Sequence, residues 1–181
     1  MRGEAVAIAA ERRWAWVVAL IIGSLVVIMV YTGLHWASMP PSRVEIVDPR
    51  TLHVSGEFVE GNLGTSVEPN GKVVVRLVAQ QYSFEPQCLV VPRGTPVTFR
   101  ATASDVVHGF VVGGTNANTM LIPGYVATFT TTFRTAGEQV MPCHEYCGTG
   151  HEGMWARVQV IPAGEFRARA ARGERVSCVR R

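Results

Sequence analysis

The sequence predicts an all-β domain, a Greek-key β-sandwich or barrel, carried behind a single N-terminal transmembrane helix. Three observations predict it: one uncharged apolar run near the N-terminus, many short β-branched segments separated by Gly/Pro turns, and no convincing helical periodicity between residue 40 and an Arg-rich tail. A chain of 181 residues with 48% hydrophobic and 17% charged residues is neither disordered nor fibrous. A net charge of +3 is too small an excess to indicate a nucleic-acid binder. One long apolar run excludes a polytopic transporter, and four Cys fall short of a dense disulfide scaffold.

Residues 1–13 form a cytoplasmic N-terminus and 14–36 the transmembrane helix. Trp14 to Leu34 is 21 residues without a charge, about 31 Å as a helix, enough to cross a bilayer core. Trp14, Trp16, Tyr31 and Trp36 lie near its ends, where an aromatic belt sits. Arg12 and Arg13 precede it and no basic residue stands between His35 and Ser42, so the positive-inside rule places the N-terminus in the cytoplasm and the rest outside. The alternative is a cleaved signal peptide, but the run is long for one and the small-x-small pattern around His35–Ser38 is poor.

Residues 37–71 read as a connector rich in Pro, Gly, Asn and Glu, with one short strand candidate at Val44–Val47. The β domain spans 72–162. Val73–Ala79 is strongly β-branched and continues towards Tyr82. Leu89–Val91 and Val97–Arg100 flank the turn PRGTP, and Phe110–Val112 is followed by the loop GGTNAN. Val126–Phe133 alternates like a half-buried strand, and Glu138–Met141 and Trp155–Ile161 complete the set. Residues 163–181 form a tail with six Arg and two Glu, in which Phe166–Arg175 is a short amphipathic helix candidate.

The chemistry is concentrated in Cys143-His144-Glu145-Tyr146-Cys147-Gly148-Thr149-Gly150-His151-Glu152-Gly153-Met154. Two thiols, an imidazole and a thioether in twelve residues are soft ligands of the kind that select copper, zinc or an iron–sulfur centre. A structural zinc site wants four Cys or His, so Met154 argues for copper. A mononuclear blue-copper site needs one Cys; two on one loop can bridge a pair of copper ions. His151 and Met154 supply terminal ligands. His108 is the best source of a second imidazole, and the carbonyl of Glu145 is the remaining candidate. His144 has poor reach between the two cysteines, and His35 and His53 lie in the anchor flank and connector. Taken singly, each residue has an ordinary structural reading: Met154 as core, His108 as a hydrogen-bonded histidine, Cys143 and Cys147 as a disulfide. The joint pattern C-x-E-x-C-x3-H-x2-M with an upstream His favours the metal.

That pattern resembles subunit II of haem-copper terminal oxidases over about residues 10–162. The single span and the tract His108-Gly109-Phe110 with Gly114-Thr115-Asn116-Ala117-Asn118 look most like the B-family, cytochrome ba-type enzymes. The resemblance implies a cupredoxin-like domain holding a dinuclear copper centre, CuA. By resemblance, Cys143 and Cys147 bridge, His108 and Met154 serve one copper, and His151 and the Glu145 carbonyl serve the other. It also implies electron entry from cytochrome c or a small copper or haem donor, transfer to haem in subunit I, and reduction of dioxygen to water there. The setting implied is the plasma membrane of a bacterium or archaeon. Tyr82 in QQYSFEP stands where family members place the aromatic residue of electron entry. Asp105 is placed to order the His108 loop, to meet subunit I, or simply to cap a turn. Glu145 departs from the closest B-family pattern, which can carry Gln; in the A-family such a Glu helps bind Mg²⁺ at the subunit interface. The alternatives are the CuA subunit of a nitric oxide reductase and a stand-alone membrane-tethered copper carrier.

Cys88 and Cys178 are left over from the copper site. An oxidising compartment favours their pairing, and a tail without a core of its own gains from a staple. The alternative is a buried free thiol and a loose one.

Overall fold

The computed structural model describes residues 2–35, 45–172 and 178. It divides into two units, 1–43 and 44–181. In the first, helix α1 runs Arg2–His35. It starts twelve residues before Trp14 because Ala5, Ala7, Ala9 and Ala10 are strong helix formers and Glu4 stands in the favourable first turn. Its residues from Gly3 onward are all exposed. A core helix of this composition would be buried, whereas a lipid-facing one presents its apolar surface outward. Trp36 and residues 37–44, including the first residue of the Val44–Val47 strand candidate, lie outside the described residues.

Among its described residues the second unit holds ten strands: β1 Gly64–Val67, β2 Val73–Gln80, β3 Ser83–Glu85, β4 Cys88–Pro92, β5 Pro96–Ala103, β6 His108–Val111, β7 Asn118–Leu121, β8 Ala127–Thr132, β9 Gly137–Pro142 and β10 Trp155–Ile161, then helix α2, Ala163–Ala170. They form a five-stranded sheet in the order β1-β2-β5-β8 with β3 on β2, a three-stranded sheet β4-β10-β9, and the pair β6-β7. The sheets are mixed: β2–β5 and β4–β10 are parallel. Among the described residues these mixed sheets are not joined into a closed barrel. One buried cluster takes Val75, Leu77 and Phe99 from the first sheet and Leu89, Val91, Met141, Val158 and Val160 from the second. Phe99 stacks on Phe129 with centroids 5.2 Å apart, and Phe110 meets Phe84 edge-on at 6.1 Å. Nearly every residue of β2 is buried, which is why it reads as a continuous β-branched run rather than an alternating one.

The structure adds three strands to those legible in sequence. β1, β3 and β7 are three or four residues each and carry little apolar patterning; each is defined by its partner, β2, β2 and β6. Of the Val44–Val47 candidate, the described residues show one isolated bridge, Ile46 to Tyr125.

Residues 45–71, which read as connector and loop, pack on the sheet through buried Leu52 and Phe58 beside Val78. Glu57 explains how. Arg76 and Arg100 sit side by side in the parallel β2–β5 register, two like charges on neighbouring strands. Glu57 takes Arg76 Nε at 2.8 Å and Arg100 Nη2 at 2.5 Å, while Glu68 takes Arg76 and Glu45 takes Arg100. Partial burial pushes the Glu57 carboxyl up, but the two guanidinium groups outweigh it and hold it below its ordinary value. Glu57→Gln should therefore destabilise the domain by about 2 kcal/mol at pH 7. Because the folded pKa is depressed, this contribution is complete above the ordinary 4.5 and is lost as pH falls through the lower folded value. Urea unfolding of both proteins at pH 7 and in acid checks it: the gap should close in acid, and a gap independent of pH would contradict the assignment.

The tail is not loose. Phe166 of α2 is buried in the core, and Cys178 is disulfide-bonded to Cys88 at the start of β4, with Cα atoms 6.0 Å apart. The helix candidate Phe166–Arg175 is realised as Ala163–Ala170, earlier than expected because Phe166 anchors its first turns. Residues 173–177 and 179–181 lie outside the described residues.

Candidate metal centre

β9 and β10 form an antiparallel pair whose register closes with Pro142 opposite Trp155. The segment 143–154 is the loop joining them. Its ends are tied by the Cys143 N–H, which donates to the Met154 carbonyl at 2.9 Å. The first and last candidate ligands are thus brought together by strand pairing. Inside the loop, His151–Gly153 forms one 3-10 turn. The neighbouring strand β6 joins through the Phe110–Cys143 bridge and the His144 N–H, which donates to the Gly109 carbonyl at 3.1 Å. This places His108, fully buried at the head of β6, against the loop.

The donor atoms converge. Cys143 Sγ lies 4.0 Å from Cys147 Sγ, 4.0 Å from His108 Nδ1 and 3.3 Å from the Glu145 carbonyl oxygen. Cys147 Sγ lies 3.6 Å from both His151 Nδ1 and Met154 Sδ. The ligating atoms of His108, Cys143 and Cys147 all fall within 4.8 Å of one another. Both thiols and the thioether are buried. Burial, then the adjacent Cys143, pushes the Cys147 thiol up to about 11. Since the thiolate is the ligand, a soft metal ion must displace protons to enter, and binding tightens as pH rises.

Asp105 is hydrogen-bonded into the His108 loop. Its carboxylate accepts from His108 Nε2 at 2.8 Å and from the main-chain N–H groups of Gln81 and Val106, each at 2.7 Å. Burial raises the Asp105 carboxyl, and these donors outweigh it, so its pKa lies below the ordinary carboxylate value. With Nε2 donating to Asp105, His108 Nδ1 is left as the acceptor facing the thiols. Tyr82 lies against the ligand loop: a Cβ on Gly150 would come within 2.8 Å of its ring, and its hydroxyl is 3.3 Å from Thr149 Oγ1. His144 stays exposed beside Gly109, away from the donors, and His53 is exposed outside the site. Sequence reading missed Gln81, whose side chain donates to the Cys147 carbonyl at 2.6 Å. Its only signal was adjacency to Tyr82.

Among the described residues, a buried His/Cys/Cys cluster able to hold a metal ion sits in a mixed-sheet domain, and one helix is apolar enough to span a bilayer; this is the class of a copper-binding, cupredoxin-like fold. Residues 76–161 match the family described as cytochrome c oxidase subunit II, periplasmic domain. The chain is 32% identical over 155 residues to a cytochrome c oxidase subunit 2 of Thermus thermophilus, covering 84% of this chain and 92% of that one. A second Thermus thermophilus subunit 2 is 34% identical over 122 residues, covering 67% and 90%. A chain in the cryo-EM structure of a heme-copper terminal oxidase dimer superposes with a TM-score of 0.56 at 25% identity, covering 84% of this chain and 99% of that one. The chain belongs to the cytochrome c oxidase subunit II family. It is a subunit of a multi-subunit oxidoreductase complex, with a role in electron transfer.

Proposed function

We propose that this chain is the electron-entry subunit of a terminal oxidase. It receives electrons from cytochrome c or a similar small copper or haem carrier and passes them to haem in subunit I, where dioxygen is reduced to water. The observation that carries this reading is the convergence of two buried thiols with two imidazole nitrogens, a thioether and a carbonyl. The donor set fits a dinuclear CuA centre, which Cys143 and Cys147 would hold together with His108, His151, Met154 and the Glu145 carbonyl. Bound there, it would supply one-electron transfer with little reorganisation. The chain's own residues do the rest. Asp105 holds the His108 tautomer, the closed base of the loop holds Cys143 against Met154, and apolar burial keeps water from the thiols. Tyr82, partly exposed and against the loop, is the surface residue for electron entry.

Within the family, the single span and the HGF and GTNAN tracts support a B-family, ba-type membership. The Arg12–Arg13 flank supports a cytoplasmic N-terminus and a domain on the outer face of a bacterial or archaeal plasma membrane. The Glu145 carboxylate, half-buried and without an ion pair among the described residues, is the group available for Mg²⁺ at the interface with subunit I.

Metal analysis and paramagnetic resonance of the purified native complex test the centre. Two coppers per chain and a spectrum of one electron shared by two nuclei are expected; a single localised copper would refute it. Protease added to intact spheroplasts should remove the domain, and full protection until lysis would reverse the orientation.

A further inference from the structure

Gln81 is the exposed residue directly after β2 and is no part of the core, yet its polar groups are spent on the metal site. Its main-chain N–H donates to Asp105 Oδ2 at 2.7 Å, and its side-chain amide donates to the Cys147 carbonyl at 2.6 Å. Those acceptors belong to different arms of the site. Asp105 holds His108 Nε2, so the first bond acts on the imidazole arm. Cys147 carries the thiol 3.6 Å from His151 and Met154, so the second acts on the loop arm. Gln81 and Cys147 are 66 residues apart in sequence. The loop is shaped to receive the side chain: at Gly148, φ +135°, a Cβ would lie 2.9 Å from Gln81 Nε2 and 2.6 Å from the Tyr82 hydroxyl.

We propose that Gln81 is a positioning residue that braces the His108 arm and the Cys147 arm of the metal site against each other, so that the turn following β2 sets the spacing between their donor atoms. The proposal rests on the copper reading above for its function, but not for its geometry. The physical case is that of an outer hydrogen bond that orients a ligand. A loop carbonyl without a partner lets the peptide next to Cys147 rotate, and the thiol moves with it. The main-chain ties of the loop to β6 and β10 lie at its Cys143–His144 end, whereas the bonds from His151, Gly153 and Met154 to carbonyls three residues back are local and do not fix the Cys147 stretch to the sheet. The bond from Gln81 ties the middle of the loop to another element.

Two substitutions isolate the side-chain bond, because both leave the main-chain N–H to Asp105 in place. Gln81→Ala removes the amide. Gln81→Glu keeps its size but puts a carboxylate, which cannot donate, against the Cys147 carbonyl. Gln80→Ala, one residue away and without a side-chain bond to the site, is the control. In the full chain in detergent, loaded with copper, release of copper to a chelator should be about tenfold faster in both Gln81 variants than in wild type or the control. The copper hyperfine pattern should change in both. In the metal-free proteins, amide exchange at His151, Gly153 and Met154 should speed up, while the Gln81 and Val106 amides stay protected. Release within twofold of wild type with unchanged loop exchange would overturn the proposal. So would equal loosening of the Gln81 and Val106 amides, which would mark general destabilisation. If the wild type fails to take up two coppers, the CuA reading fails, and the metal-free exchange data still decide the brace.

Discussion

Cys143→Ser or Cys147→Ser should abolish the proposed dinuclear centre and, in the assembled complex, the proposed electron entry with it. Each thiol touches donors on both sides: Cys143 faces His108 and the Glu145 carbonyl, Cys147 faces His151 and Met154, and the two sulfurs face each other at 4.0 Å. A hydroxyl is a harder and much less acidic group and does not replace a bridging thiolate for copper. Copper per chain should fall below two, and oxygen consumption driven by the electron donor should drop by at least about a hundredfold, roughly 3 kcal/mol or more in barrier terms. Met154→Leu is the graded counterpart. The thioether is the weakest ligand, so copper should stay bound while its potential shifts. Optical and paramagnetic spectra of the three variants check the series. Retention of the native spectrum in either Cys variant would sink the bridging assignment.

Removal of the Cys88–Cys178 disulfide should produce the largest loss of stability. The bridge links residues 90 apart and closes a loop containing most of the β domain, Phe166 and α2. In the chain-entropy account such a closure is worth about 4–5 kcal/mol, since the reduced unfolded chain regains the freedom of the whole loop. Replacing both residues, as Cys88→Ala with Cys178→Ala, avoids a lone thiol and should lower the melting temperature of the domain by about 10–15 °C. Copper content should be unchanged at low temperature, because Cys143 and Cys147 are the free pair and the bridge touches neither. Thermal unfolding of the double variant, set against wild type with and without reductant, measures the effect. A melting temperature within about 2 °C of wild type would show that the bridge contributes little beyond the packing of Phe166.

Local signals were legible from the amino-acid sequence and long-range ones were not. The apolar run from Trp14 to Leu34 predicted a helix, and the structure extends it to Arg2, where Ala-rich flanks carry helical propensity without hydrophobic length. Val73–Ala79 announced β2, because a strand buried on both faces reads as a continuous apolar run, and Trp155–Ile161 announced β10, whose buried Ala156, Val158 and Val160 alternate with more exposed residues. β1, β3 and β7 exist through their partners, so their own residues could not declare them. The same division runs through the site. Cys143, Glu145, Cys147, His151 and Met154 sit in one twelve-residue loop, where spacing alone encodes convergence. His108 was reachable by elimination among five histidines, but its position against Cys143 depends on β6 bridging to the loop. Asp105 stood open between ordering the loop, meeting subunit I and capping a turn, and the structure adds its contact with His108 Nε2, which supports the first. Glu57 and Gln81 were not legible. A carboxylate between two arginines from adjacent parallel strands, and an amide reaching a carbonyl 66 residues away, arise only once β2 and β5 are paired and the loop is folded back over them. Residue type and spacing thus determined the helix, the strand-rich domain and the donor set. Tertiary structure decided what holds those donors at their distances, because hydrogen bonds and ion pairs between remote segments leave no periodic trace in the chain.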